Sequence, residues 1–145
     1  MEASRLGNTK RIALLDTNTL IYMAQGLIPP STLLEEAGYP RLATTSRVVE
    51  ELEKISTLGK PSTSRAAKAA LKLLHRLDIE VLEWTGAGDA DDSLEAVALQ
   101  LKHSGVSVIV ATSDKTLRSR LRLHGIPTLY YRESRGGVEL EWEPL

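Results

Sequence analysis

Acidic side chains stand at points of the sequence where an α/β protein presents residues to a ligand. Asp16 ends the apolar run at residues 11–16, and Asp114 follows the apolar segment 108–111. Two pairs of acids belong to predicted helices: Glu50 and Glu51 in the first turn or so of one, Asp91 and Asp92 at the start of another. If these carboxylates converge, they form the site that a hard divalent cation prefers, and a bound ion can activate a water molecule for hydrolysis. Each acid alone also has a local explanation, since Asp and Glu are favoured at helix N-termini and in turns.

The elements that must position these acids follow from apolar periodicity and from Gly and Pro breaks. Strands are predicted at residues 11–16, 41–45, 80–84, 106–111, 128–131 and 138–142. Helices are predicted from 17 to about 25, after Pro29 and Pro30 as far as Gly38, from 45 or 46 to 58, at 63–77, from about 89 to 103, and at 115–124. Strands that alternate with helices indicate a parallel sheet in a three-layer α/β/α sandwich, whose ligands bind at the carboxyl ends of the strands.

Four short motifs surround the acids. In chain order they are Leu14-Leu15-Asp16-Thr17-Asn18, Val48-Val49-Glu50-Glu51-Leu52, Asp91 with Leu94, and Val110-Ala111-Thr112-Ser113-Asp114-Lys115. Together they resemble the PIN-domain family of metal-dependent ribonucleases, and the resemblance covers nearly the whole chain. It implies a PIN-like fold, a Mg²⁺- or Mn²⁺-dependent endoribonuclease, and a set of catalytic metal ligands: Asp16, Glu51, Asp91 and Asp114. Asp92, which adjoins Asp91, could share its role.

Hydroxyl and amide side chains accompany the acids within the same motifs. Thr17, Asn18, Thr112 and Ser113 are suited to orient the carboxylates or a water on the ion. For Thr17 and Ser113 the alternative is helix capping, which Ser and Thr commonly provide.

Basic residues are segregated from the acids along the chain, although the net charge is only -1. Residues 60–77 hold five basic residues and no acid, and the basic side chains there recur at helical spacing: Arg65, Lys68, Lys72 and Arg76. Lys115 and Arg118 follow Asp114 closely. We expect both groups to contact RNA phosphates, the alternative being an ordinary solvated helix face. The aromatic residues on or beside strands are expected to serve core packing or an interface between two copies: Trp84, Tyr130, Tyr131 and Trp142.

Composition narrows the classes of function. A chain of 145 residues predicts a single PIN-like nuclease domain over 1–145, and the absence of Cys excludes disulfide frameworks, zinc-thiolate sites and cysteine nucleophiles. No apolar run is long enough to span a bilayer, so a cytoplasmic protein is expected.

Three functions are compatible with the sequence. The stretch 108–131 resembles the archaeal and eukaryotic branch related to small-subunit ribosomal RNA processing nucleases, which implies a ribosome-assembly partner. A toxin of the VapC kind, held inactive by an antitoxin, is the second. A non-catalytic module that binds RNA or protein, in which the acids are vestigial, is the third.

Overall fold

A computed structural model describes residues 11–134 and 137–143, with side chains from 11 to 131. The elements in chain order are β1 (Arg11–Leu15), α1 (Thr17–Ala24), α2 (Pro30–Glu36), β2 (Arg41–Thr45), α3 (Ser46–Leu58), α4 (Pro61–Arg76), β3 (Glu80–Leu82), α5 (Ala90–His103), β4 (Ser107–Ala111), α6 (Lys115–Leu123), β5 (Thr128–Ser134) and β6 (Gly137–Glu143). The strands form one sheet in the order β3-β2-β1-β4-β5-β6. All neighbours pair in parallel except β5 and β6, so the predicted α/β sandwich with a parallel sheet is confirmed.

The centre of the sheet is buried because its strands carry apolar side chains on both faces. Leu14 and Leu15 of β1 and Val110 of β4 have no exposed surface. Continuous apolar runs of this kind are typical of parallel strands that helices cover from both sides. Helices α1, α3 and α4 pack on one another, and α5 packs on α6.

Several predicted boundaries differ from the structure by one to three residues. Helix α4 begins at Pro61 rather than at residue 63, since proline at the first helical position needs no N–H partner. The strand predicted at 80–84 is shorter and ends at Leu82. Helix α3 begins at Ser46 and has no acid in its first turn, so Glu50 and Glu51 lie in the second turn.

No helix among the described residues combines the length and the apolar character needed to cross a membrane. The predicted role of Trp142 concerns a side chain outside the described ones, since Trp142 lies in β6.

Candidate active site

The centre of the sheet brings Asp16 and Thr112 to the same edge. Strands β1 and β4 are parallel neighbours with Leu15 opposite Ala111, and the next residue of each strand is Asp16 and Thr112. The backbone N–H of Asp16 donates to the carbonyl of Ala111 at 3.3 Å. The chain leaves β1 toward β2 on one side, while β4 lies on the other, so the edge is a switch point of the kind where α/β proteins bind ligands.

Asp16 is buried and held by several donors. Its Oδ1 accepts hydrogen bonds from the backbone N–H of Thr19 at 2.7 Å, from the Thr19 hydroxyl at 2.6 Å and from the Tyr131 hydroxyl at 3.3 Å. Burial raises the pKa of Asp16, and the hydrogen bonds from Thr112, Thr19 and Tyr131 oppose that rise. A cation next to the carboxylate would relieve the cost of its buried charge.

Thr112 links Asp16 to the second strand-end acid. Its hydroxyl donates to the Asp16 carboxylate and accepts from the backbone N–H of Asp114 at 3.1 Å. Asp114 is exposed and caps α6, with its Oδ1 accepting from the N–H of Leu117 at 2.8 Å. Ser113 is half-buried and hydrogen-bonds with Tyr131.

Glu51 joins the same edge from α3. The hydroxyl of Thr17 donates to Glu51 Oε1 at 2.6 Å, across 34 residues of sequence. The capping alternative for Thr17 and Ser113 is wrong, because Asp16 caps α1 and Asp114 caps α6. Asn18 lies exposed beside Thr17.

Asp91 and Asp92 have opposite surroundings although they are adjacent. Burial, as the largest cause, and the negative charges of the neighbouring acids together raise the pKa of Asp91 to about 6; these acids are Asp114, Asp16, Asp89 and Glu51. Of the two adjacent acids, Asp91 is therefore the one on which the charges of the other candidate ligands act.

Asp92 faces α6 instead. Its side chain accepts from the backbone N–H of Asp89 at 2.9 Å, which completes a capping box at the start of α5, and it pairs with Arg120 at 2.9 Å. The hydrogen bond from Arg120 lowers the pKa of Asp92. A carboxylate with these partners is less suited to hold an ion than Asp91.

A groove of about 470 Å³ runs between α3 and the segment 88–91. Glu51 and Asp91 lie in its two walls, and its other lining residues are Arg47, Glu50, Lys54, Ile55, Gly88, Asp89 and Ala90. Arg47 and Lys54 belong to none of the sequence motifs, although they lie four residues before and three residues after Glu51 and so share its side of the helix. For Tyr131 the sequence predicts packing or an interface, and it contains no signal that the hydroxyl reaches Asp16.

The basic residues of α4 lie where the periodicity predicts. Arg65, Lys68, Lys72 and Arg76 are exposed, whereas Ala67 and other small or apolar residues of the helix are buried. Their contact with RNA stays a prediction, as does that of Lys115, which is exposed as well. Arg118 is half-buried, with its guanidinium carbon 4.2 Å from the centre of the Tyr130 ring, a cation–π contact that orients the side chain.

The acids fit a hydrated divalent ion by the chemistry of their donors. Among the described residues no three Asp, Glu or His side chains are arranged as a set that could hold a metal ion, and none of the four candidate acids forms an ion pair with a Lys or Arg of that part of the chain. Like charges at one edge repel when no cation is present, and Mg²⁺ binds through one or two carboxylates while it keeps several waters. Asp16 and Asp91, whose charged forms burial disfavours, are the members that a cation would stabilise most.

Comparison with known proteins gives consistent similarities. A family model described as a PIN like domain matches residues 13–134. Ribonuclease VapC9 of Archaeoglobus fulgidus is 34% identical over 136 residues, which cover 93% of this chain and 94% of that protein. Among solved structures, the PIN domain endonuclease Utp24 is 27% identical with a TM-score of 0.64, over 90% of each chain. A domain of a functionally unknown protein from Methanocaldococcus jannaschii DSM 2661 shares the fold at 21% identity, with a TM-score of 0.56 over 91% of this chain and 99% of that one.

Proposed function

Since the chain belongs to the PIN-domain ribonuclease family, we propose that it is a Mg²⁺- or Mn²⁺-dependent endoribonuclease, formed by a single domain and acting in the cytoplasm. The observation that carries the proposal is the edge of the sheet where Asp16 and Asp114 follow neighbouring parallel strands and Thr17 bonds Glu51. The charges of these three acids contribute to the raised pKa of Asp91. Burial disfavours the charged forms of Asp16 and Asp91, a cost that a bound cation would offset.

One or two of the four acids would bind the ion directly and the others through its water molecules; the four are Asp16, Glu51, Asp91 and Asp114. When bound, the ion supplies an activated water and neutralises the charge that develops on the phosphate. Asp92 is not part of this set in our proposal, because its capping box and its pair with Arg120 occupy the carboxylate.

The neutral side chains keep the acids in place. Thr19, Tyr131 and Thr112 donate to Asp16, so its carboxylate has one fixed orientation. Thr17 does the same for Glu51. Partners that orient metal ligands typically change metal affinity or activity 10–100-fold when they are removed.

The substrate in this proposal is single-stranded or looped RNA. The groove between α3 and the segment 88–91 carries Glu51 and Asp91 in its walls, and a flexible strand in the groove would bring a phosphate to the ion that these carboxylates attract. The exposed basic side chains of α4 and Lys115 would bind neighbouring phosphates, a contact that does not depend on base sequence.

Two cellular roles fit this chemistry. The stretch 108–131 supports maturation of ribosomal RNA together with a ribosome-assembly protein, since it resembles nucleases of that process. The similarity to Ribonuclease VapC9 supports a toxin with an antitoxin partner. Expression of the chain alone distinguishes them, because a toxin arrests growth and a co-expressed neighbouring reading frame relieves the arrest.

The test is cleavage of a single-stranded RNA by purified protein with Mn²⁺ and with a chelator. We expect cleavage only with the ion, loss of cleavage in Asp16→Asn with RNA binding retained, and unchanged cleavage in Asp78→Asn, an exposed acid before β3 at the opposite end of the sheet. RNA binding without cleavage in any metal would mean that the domain is a non-catalytic module. Equal turnover by Asp16→Asn and the parent would refute the assignment of the acids.

A further inference from the structure

The structure assigns Arg47 a positioning role: we propose that it clamps the loop 84–89 onto α3 and thereby sets the separation between Glu51 and Asp91. This inference rests on the proposed function, because the two carboxylates are candidate ligands of the ion. Arg47 belongs to none of the acidic or basic sets that the sequence suggested.

The guanidinium of Arg47 binds two carbonyls of the loop at once. Nη1 donates to the carbonyl oxygen of Gly88 at 2.6 Å, and Nη2 donates to that of Gly86 at 2.8 Å. Nε is buried and lies 3.3 Å from Glu50 Oε1. Only the planar fork of arginine reaches both carbonyls in this way, whereas a lysine ammonium is a single point of contact.

The two residues before Arg47 fasten the same region. The Ser46 hydroxyl accepts from the backbone N–H of Trp84 at 2.9 Å, and the Thr45 hydroxyl is hydrogen-bonded to that of Ser93 at 2.7 Å. Three consecutive side chains at the start of α3 therefore hold the end of β3, the loop and the first turn of α5.

The loop has a backbone shape that leaves little choice of residue. Gly88 has φ +106, and a Cβ at this position would lie 2.3 Å from the Asp92 carboxylate. At Gly86 a Cβ would lie 2.2 Å from the indole of Trp84. The conformation of this loop depends on its contacts with the rest of the protein, and Arg47 donates hydrogen bonds to the carbonyls of both glycines.

Both ends of the clamp lie close to the candidate ligands. Arg47 and Glu51 are four residues apart on α3 and face the same groove. Gly88 precedes Asp91 by three residues, through the Asp89 cap of α5. Because like charges repel, a loosened loop would let the carboxylates of Glu51 and Asp91 separate across the groove and would weaken the binding of an ion that draws on both.

The competing explanation is that Arg47 binds an RNA phosphate, since it lines the groove. Its Nη atoms already donate to carbonyls and its Nε is buried, which favours the clamp. The experiment separates the two through Arg47→Lys, which keeps the positive charge and loses the two-carbonyl grip.

The test compares Arg47→Lys, Arg47→Ala and the parent, with Arg41→Ala as matched control, since Arg41 pairs with Glu80 at the other end of the strands. All are studied well below their melting temperatures. For both Arg47 variants we expect faster amide exchange at residues 86–92 in chelator, a Mn²⁺ dissociation constant raised about 10-fold or more, and an unchanged salt dependence of RNA binding. Arg41→Ala should match the parent in all three.

Three results would overturn the clamp. They are unchanged exchange at residues 86–92, parent-like Mn²⁺ affinity in Arg47→Lys, or a log–log salt slope that falls by about 0.7 in Arg47→Ala and is restored by lysine. If the parent itself binds no Mn²⁺, the proposed function fails, whereas the exchange measurement still decides whether Arg47 holds the loop.

Discussion

Replacing Asp91 by Asn should stabilise the metal-free protein at neutral pH. In the folded chain the pKa of Asp91 rises from its usual 3.8 to about 6, first through burial and then through the neighbouring acids. Its charged form is therefore disfavoured on folding. Protonated Asp91 therefore adds to the free energy of unfolding. This contribution is complete below about pH 4 and is lost as the pH rises through about 6.

The size of the effect follows from the pKa. A rise from 3.8 to about 6 corresponds to about 3 kcal/mol. Because Asp91 is only half-buried, solvent screening reduces this to about 1–1.5 kcal/mol of unfolding free energy at pH 7. For a domain of this size that is roughly 3–6 °C in melting temperature.

The adjacent residue provides the control. Asp91 and Asp92 both lie in the first turn of α5, so the helix dipole stabilises both charges. Its effect on stability therefore largely cancels when Asp91→Asn and Asp92→Asn are compared. The hydrogen bond from Arg120 lowers the pKa of Asp92, so its charged form stabilises the fold above its usual pKa and that contribution is lost as the pH falls through the lowered value. Asp92→Asn should therefore melt below the parent at pH 7.

Calorimetry at pH 7 in chelator, and again with Mn²⁺, checks the difference. Asp91→Asn should melt above Asp92→Asn by several degrees in chelator. With Mn²⁺ at a hundred times its dissociation constant, the parent should gain about 2.7 kcal/mol, and Asp91→Asn should gain less. An Asp91→Asn protein that melts no higher than Asp92→Asn in chelator would refute the shared cluster of acids.

Three further predictions concern the surroundings of the acids. Tyr131→Phe removes the hydroxyl that donates to Asp16 and should weaken Mn²⁺ binding, measured by titration calorimetry; parent-like affinity would mean that Thr19 and Thr112 suffice. Thr17→Val deletes the 2.6 Å bond to Glu51 and should raise the Mn²⁺ dissociation constant about 10-fold, whereas an unchanged value would make that bond merely structural. Lys68→Ala with Lys72→Ala should reduce the log–log salt slope of RNA binding by about 1.4, or about 0.7 per lost contact, and an unchanged slope would return this helix face to ordinary solvation.

The architecture could be predicted because local signals and packing agree. The apolar runs of β1 and β4 indicate buried parallel strands, and each is followed by Asp at the ligand-binding edge. The small buried residues of α4 place this helix, which starts two residues before the predicted range, at Pro61, and ends one residue before its end, at Arg76.

The sequence alone does not distinguish Asp91 from Asp92 as the candidate ligand, whereas the structure shows different partners for the two. Both lie in the first turn of α5, and the sequence does not state how that turn is rotated toward the sheet edge. The capping box with Asp89 and the pair with Arg120, 28 residues away, fix Asp92 toward α6.

The roles of Arg47 and Tyr131 also depend on contacts between distant parts of the chain, which the sequence does not indicate. Arg47 binds backbone carbonyls 39 and 41 residues away, and carbonyl oxygens carry no residue-specific signal. Tyr131 reaches Asp16 across 115 residues. A buried Tyr is expected to find a partner for its hydroxyl, but the fold alone decides which.

The most direct test of the central claim is a crystal structure with Mn²⁺, using the anomalous scattering of the ion to locate it. We predict a peak at the carboxyl edge of β1 and β4, with carboxylate oxygens of Asp16 and Asp91 among its ligands and Asp92 still paired with Arg120. The account would be contradicted by crystals grown at a Mn²⁺ concentration that supports RNA cleavage in which this edge has no peak, or in which the ion lies elsewhere, as between Glu95 and His124.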